Sequence, residues 1–476
     1  MTQLSRVEFS RLGGRMNTDF IDNAGGVDCS DHEVNIKILM NGMVAAGDLT
    51  LKQRNKLLVE MTDEVSSLVL KNNYRQVQAI TLAERRSLVS MSEYQRFINK
   101  LEGQGKLNRK LEYLPADDVL DEQRLAGKGL SRPELSVLVS YSKADLKERL
   151  LETDLPDDSY VARELVTAFP RQMLEKFAPE LKEHRLCREI VATQVANEIV
   201  NFMGINFADR LGVSTGADIQ RITRAYVLVR DIFMLKDLWK QIELLDYQVD
   251  SDIQLEMMER LQYLVRHATR WILRNRRGDL DCQQEIGIFA EPLKQLADHL
   301  GELLCGEPRS QWESAYQRYT DAGVPDELAK IVAGSGVLFS AMSVIEVARE
   351  QKVNMQTAAQ AFFGLGERLQ LHWFANQLND LSVENYWQAL ARDAFRDDLD
   401  WQQRALMASL LKLDMSDKAS TAAKLQQWVE LNQPLLDRWD KVLTDLKAAK
   451  TQDYAMYTVA VRELYDLART CNFTAD

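Results

Sequence analysis

Arg15-Met-Asn-Thr-Asp-Phe-Ile-Asp-Asn-Ala-Gly-Gly-Val-Asp-Cys-Ser-Asp-His-Glu-Val-Asn-Ile-Lys37 gathers more groups able to do chemistry than any other stretch of the 476-residue chain. Phe20-Ile21 reads as the end of a strand. Asn23 to Gly26 reads as a sharp turn that lets a ligand close to the backbone. From Asp31 onward the pattern is helical, with Val34, Ile38 and Leu39 on one face. Strand, glycine turn and helix together place ligands at the carboxyl edge of an open α/β sheet. Working outward, residues 1–30 predict the tail of a sheet-bearing domain whose other strands the chain does not supply. One strand cannot satisfy its own backbone groups, so pairing with something N-terminal in a longer protein is expected.

Everything after this stretch predicts helices. Thr50-Leu-Lys-Gln53 is a capping box opening a helix with Leu58, Met61, Val65, Leu68 and Val69 on one face, which Asn72-Asn73 are expected to stop. Ser131-Arg-Pro-Glu134 is a second box, with Leu130 and Leu135 placed to staple it and Leu138, Val139, Ser142 and Leu146 following inward. One long helix is expected from about Pro179 to Leu211, capped by Gly212 and carrying Ile190, Val191, Val195, Ile199, Phe202 and Met203 inward. Further helices are expected from Thr215–Asp218 to Ile242, from Asp252 to Arg277, and in succession beyond Gly278.

Composition sets the class. Apolar residues make up 46% and charged residues 27%, which suffices for a sizeable core. The net charge of −12 argues against a nucleic-acid partner held through phosphates. Five scattered cysteines, Cys29, Cys187, Cys282, Cys305 and Cys471, suit a reducing compartment and no disulfide framework. The first residues lack a signal-peptide run, and no stretch approaches the ~18–20 apolar residues of a membrane span. A cytoplasmic, mostly helical protein without a membrane partner is expected.

Asp22 to Lys37, with Asn-x-x-Gly-Val-Asp-Cys-Ser-Asp-His-Glu-Val-Asn-Ile-Lys, resembles the large NAD-specific glutamate dehydrogenases of bacteria, whose catalytic core lies inside a much longer polypeptide. Gly129-Leu-Ser-Arg-Pro-Glu-Leu135, Tyr141-Ser-Lys143 and Gly216 through Arg224-Ala-Tyr226 agree with it, strongly to about Arg277 and weakly beyond. Gly25 departs from that class, where a small residue such as alanine is expected, and matches the smaller hexameric class. The resemblance implies a mainly α chain with a short strand and turn left from a Rossmann-like domain. It divides the chain into residues 1–48, ending the catalytic nucleotide domain, 49–130, a helical connection, and two helical domains over 131–278 and 279–476. It further implies that Asn23, Gly25 and Gly26 lie beside the nicotinamide ribose of NAD and that Ser30 holds the distal carboxylate of glutamate. Residue chemistry alone leaves another reading open, in which Ser30 or Asp31 caps the following helix.

Other constellations are weaker. Cys29 and His32, or His184 and Cys187, lack the second ligand pair of a structural zinc site, so no metal is expected. Gly364-Leu-Gly366 and Gly334-Ser-Gly336 lack a preceding strand and mark close helix contacts or breaks. Arg266, Arg270 and Arg274 recur every four residues and are expected to pair with the protein's own carboxylates. Trp373, Trp387 and Trp401, fourteen residues apart, suggest packing between successive helices.

Two functions follow. In the first, the chain is the carboxyl-terminal part of an NAD-dependent glutamate dehydrogenase that oxidises L-glutamate to 2-oxoglutarate and ammonium. It supplies one wall of the site to the upstream catalytic portion of the same polypeptide, provides a body for homo-oligomerisation, and carries no catalytic residue of its own. In the second, the chain is a non-catalytic helical scaffold and residues 1–37 only a docking peptide.

Overall fold

The computed structural model describes every residue except 277, 384–385, 414–419 and 474–476. Among the described residues all regular elements are helical, and they fall into two compact units, Met1–Val227 and Leu228–Asp476.

The first unit begins with α1 (Gln3–Arg11), α2 (Asp19–Asp22), α3 (Ala24–Ala46), α4 (Leu51–Glu60), α5 (Thr62–Arg85), α6 (Met91–Gly103) and α7 (Asp117–Leu125). It continues through α8 (Arg132–Leu151), two 3-10 turns (Leu155–Asp157 and Val161–Ala168), α9 (Arg171–Lys176), α10 (Ala178–Lys182), α11 (Cys187–Met203), α12 (Phe207–Thr215) and the start of α13 (Ile219–Ile232). Its centre is α8, buried on nearly every side because Leu135, Val137, Leu138, Val139, Leu146 and Leu150 face α5 and α11 at once. Ile190, Val191, Val195, Ile199 and Phe202 of α11 meet it as the spacing predicts. Glu134 closes the expected box, its Oε2 accepting from Ser131 N at 2.7 Å and Ser131 Oγ at 2.6 Å.

The expected strand and the Rossmann-like remnant are not present: Phe20 and Ile21 lie in α2, and Gly25 and Gly26 in the first turn of α3. Neither glycine takes a positive φ. With no sheet to join, the backbone satisfies its own donors and acceptors by winding into helix. The segment is held by side chains instead. Buried Arg6 donates to Asn17 O at 3.0 Å, Asp19 at 2.9 Å and Asp22 at 2.7 Å. Arg132, also buried, reaches Asn17 Oδ1 at 3.2 Å and Glu84 at 2.7 Å.

Other boundaries moved for identifiable reasons. The single helix expected from Thr50 to Asn72-Asn73 is broken at Met61 into α4 and α5, and α5 runs on to Arg85, Asn73 donating back to Val69 O at 2.8 Å and Asn72 reaching Asp28. The long helix expected to Leu211 is broken at Gly204, whose φ of +88° ends α11, and Gly216, with φ +72°, rather than Gly212, ends α12.

The second unit holds the end of α13, then α14 (Leu235–Glu243), α15 (Ser251–Asn275), α16 (Cys282–Asp298), α17 (Leu300–Leu303), α18 (Gly306–Asp321) and α19 (Asp326–Leu338). There follow α20 (Ala341–Gln351), α21 (Met355–Arg368), α22 (Leu371–Asp380), α23 (Tyr386–Leu411), α24 (Thr421–Leu431), α25 (Gln433–Ala448) and α26 (Tyr454–Phe473). The glycine pairs mark close contacts: a Cβ on Gly366 would stand 2.8 Å from Gln403 Nε2, and one on Gly334 2.3 Å from Leu300 Cδ2. Among the described residues no single helix is long and apolar enough to cross a membrane. The bent pair α19 and α20, at 71°, passes by composition, and its apolar residues are largely core.

Candidate functional site

Helix α3 sorts the opening stretch into two faces. Successive residues turn by about 100°, so Asn23, Gly26, Ser30 and Val34 share one side while Asp28, His32, Ile36 and Leu39 share the other. Asn23, Gly26, Ser30 and Val34 are exposed, and His32, Ile36, Leu39, Met40 and Met43 are buried. A Cβ on Gly26 would meet nothing within 4 Å. Gly25 turns toward α5, where a Cβ would lie 3.9 Å from Asn73 Nδ2 and Val69 Cγ1. Of the four residues singled out in the sequence, three thus stand together on an open face and Gly25 sits at its edge. Ser30 and Asp31 lie inside α3, which excludes the reading of either as its cap. The Asn23 side chain does not cap it either, so a bare helix start carrying two glycines is presented with its partial positive charge.

Behind the open face a polar cluster fixes the helix. His32 Nδ1–H donates to Ala168 O at 2.9 Å, and Asn72 Nδ2 donates to Asp28 Oδ2 at 3.0 Å and lies 3.4 Å from His32 Nε2. His184 Nε2–H donates to Asn35 O at 3.0 Å while its Nδ1 accepts from Leu186 N at 3.0 Å. Both histidines tempting as metal ligands are therefore engaged with protein groups, and Cys29 is exposed. Among the described residues no three His, Cys, Asp or Glu side chains converge as a metal set.

Lys143 on α8 belongs to the same cluster, donating to Gln76 Oε1 at 2.9 Å. Part of the side chain reaches the surface, but the ammonium lies deep. Desolvation pulls it down to about 7, with Asp28 opposing. Sequence reasoning did not single out Lys143 for chemistry. The signal was there: it is the lone cation on a helix line of Ser136, Val139, Leu146 and Leu150, all buried.

Arg270 and Arg274 of the arginine stripe in the second unit are ion-paired, as expected. Arg270 forks onto Asp397 at 2.6 and 2.7 Å and reaches Asp393 at 3.0 Å, and Arg274 meets Asp397 at 3.2 Å. These pairs wall a cleft of about 410 Å³ between α15 and α23. The acidic run Asp393, Asp397 and Asp400 on α23 mirrors the arginines at helical spacing, a signal the sequence offered. Trp387 and Trp401 overturn the packing expectation, being 75% and 57% exposed, while Trp373 lies under Lys447 at 4.8 Å.

Residues 1–83 match the family model described as bacterial NAD-glutamate dehydrogenase, catalytic domain, and residues 127–466 the one described as glutamate dehydrogenase, C-terminal. The NAD-specific glutamate dehydrogenase of Pseudomonas aeruginosa is 53% identical over 99% of the chain, that of Halomonas elongata 47%, and that of Mycobacterium tuberculosis 34%. The chain spans 29% of the length of each of these relatives. On these matches the chain belongs to the glutamate dehydrogenase family described by the C-terminal model.

Proposed function

We propose that the chain is the carboxyl-terminal part of an NAD-dependent glutamate dehydrogenase, converting L-glutamate, NAD and water to 2-oxoglutarate, ammonium and NADH, and that α3 forms one wall of its active site. The observation that carries this reading is the shared open face of Asn23, Gly26 and Ser30, within the segment that matches the catalytic-domain family model. Asn23, Gly25 and Gly26 then lie beside the nicotinamide, where absent side chains allow close approach. Ser30 donates to the distal carboxylate from the same open face. The acid-base groups and the phosphate-binding turn belong to the upstream portion of the polypeptide, and residues 1–48 complete that catalytic domain. The remaining helices form a supporting and oligomerising body.

The test separates the two ligands in the intact enzyme. Ser30→Ala removes one donor to a charged group, about 1.5–3 kcal/mol or roughly ten- to a hundredfold in glutamate use, and leaves NAD affinity nearly unchanged. Gly26→Val weakens NAD use, because a branched side chain covers the open patch. The isolated chain forms no NADH from glutamate. Equal effects on both substrates, or none from Ser30→Ala, would make α3 a scaffold surface and not a wall.

A further inference from the structure

The buried face of α3 combines an apolar stripe, Ile36, Leu39, Met40 and Met43, with hydrogen bonds exchanged with one neighbouring segment. His32 Nδ1–H leaves α3 for Ala168 O, at the end of the second 3-10 turn, at 2.9 Å. The same segment returns a bond, His184 Nε2–H donating to Asn35 O at 3.0 Å. Phe169, next to Ala168, packs its ring 5.7 Å from that of His184, so both anchors belong to one packed unit. The imidazoles are buried, at 6% and 4% exposure, and each engages its second nitrogen as well. His184 Nδ1 accepts from Leu186 N at 3.0 Å, and His32 Nε2 faces Asn72 Nδ2 at 3.4 Å.

Apolar contacts are non-directional and leave a helix free to roll by several degrees, whereas a hydrogen bond fixes both a distance and an angle. On a helix ~10 Å across, a roll of ~10° moves a side-chain tip by about 1 Å. A displacement of that size at a substrate group can cost up to about a hundredfold in rate. His32 and Asn35 stand about one turn apart on α3, so anchors at both oppose sliding as well as rolling. Ser30 lies half a turn from His32, on the opposite, open side, and takes its direction from the way the buried side is pinned.

We propose that His32 and His184 are positioning residues for glutamate: through their bonds to Ala168 and Asn35 they set the direction in which α3 presents Ser30. The inference rests on the reading of α3 as a wall of the active site. It gives the region beyond the catalytic-domain match a part in the reaction, since His32 and Asn35 lie within residues 1–83 and Ala168 and His184 within residues 127–466. Both histidines are buried behind the open face and act through Ser30.

The test is kinetic, in the intact enzyme, with variants that keep or remove each donor. His32→Asn puts an amide N–H where the imidazole Nδ1–H stood, and His184→Gln puts one where Nε2–H stood, while His32→Leu and His184→Leu remove them. The leucine variants should lower kcat/KM for glutamate roughly tenfold and leave KM for NAD within about twofold, and the amide variants should restore most of the loss. A purely structural role would affect both substrates alike. In a Ser30→Ala background the leucine substitutions should cost no more than about twofold further, because the group they aim is gone. Should a leucine variant fail to fold as judged by helical dichroism, His32→Gln or His184→Asn takes its place, keeping polarity but misplacing the donor. Folded donor-less variants with parental kinetics, or amide variants as impaired as the leucine ones, would overturn the proposal alone where Ser30→Ala still impairs glutamate use. If Ser30→Ala is itself without effect, the wall reading fails and the positioning role falls with it.

Discussion

Asp145 in the first unit and Asp400 in the second are both carboxylates on central helices surrounded by basic side chains, yet their environments drive them in opposite directions. Asp145, 4% exposed, receives Lys106 at 2.7 Å, Lys100 at 3.1 Å and Arg149 at 3.3 Å. Burial alone would raise its pKa, but hydrogen bonds from Lys106 and Lys100 and the charge of Arg149 outweigh it and hold the carboxyl below its usual range. Asp400 has arginines nearby that are already bound to other acids, so burial and Asp397 win. The number of basic residues in a region does not decide the state of an acid; what decides it is whether their donors are still available. The first arrangement is a tie among α6, α8 and α12, which Asp209 completes by meeting Lys100 at 2.9 Å and Arg149 at 2.8 Å. The second is an acid whose neighbouring arginines are bound to Asp393 and Asp397.

The largest expected effect breaks the satisfied side. Asp145→Asn strips the shared acceptor from three cations and should cost about 3–5 kcal/mol, read as a lowered denaturation midpoint. Because the folded state holds this carboxyl below its ordinary value, its contribution is present above that value and lost as pH falls through the carboxylate range. An unchanged midpoint would show that Asp209, and Glu148 at 2.8 Å from Lys106, take over the cations.

Lys143 is the cationic counterpart of Asp400, a charge left short of carboxylates. Its folded value near 7 lies below the ordinary lysine value, so the unfolded chain binds the extra proton and stability rises with pH from about 7 toward about 10. Lys143→Met should add on the order of 2 kcal/mol at neutral pH and flatten that rise. Urea titrations at neutral and alkaline pH check both, and a parallel pH dependence in the two proteins would refute the assignment.

Asp400→Asn should be milder, a gain of about 1–2 kcal/mol at mildly alkaline pH. The sign is that of a raised carboxyl: what Asp400 contributes is present below its unfolded value of about 4 and is lost as pH rises through about 7. Thermal melts across that window should therefore fall for the parent chain and stay level for the variant.

The smallest effect sharpens the contrast between the faces of α3. Gly26→Ala places a methyl in open space on a helix and should stabilise the chain by about 0.5–1 kcal/mol. In the intact enzyme the same methyl should impair NAD use, so a gain in melting temperature with full activity would remove Gly26 from the wall.

The inward stripes of α8 and α11 were legible because apolar spacing reports burial directly: Leu138, Val139, Ser142 and Leu146 are all buried in α8. Capping boxes at Thr50 and Ser131 were legible because both partners lie within one turn of chain. Asn72 and Gly212 misled because each acts through a distant neighbour or none: Asn72 is tied to Asp28, forty-four residues away, and Gly212 gives the cap to Gly216.

The sequence by itself determined that this protein is helical and which residues of α8 and α11 face inward; Asn23, Gly25, Gly26 and Ser30 came together as a set only through the family resemblance. Only the tertiary structure decided that the segment holding them is helical from Ala24, and that Arg6 and Arg132 clamp it. Only the tertiary structure, too, separated Asp145 from Asp400. A residue's chemical type is local, but its charge state is a sum over neighbours that the fold brings together from distant positions, and no window of sequence contains that sum.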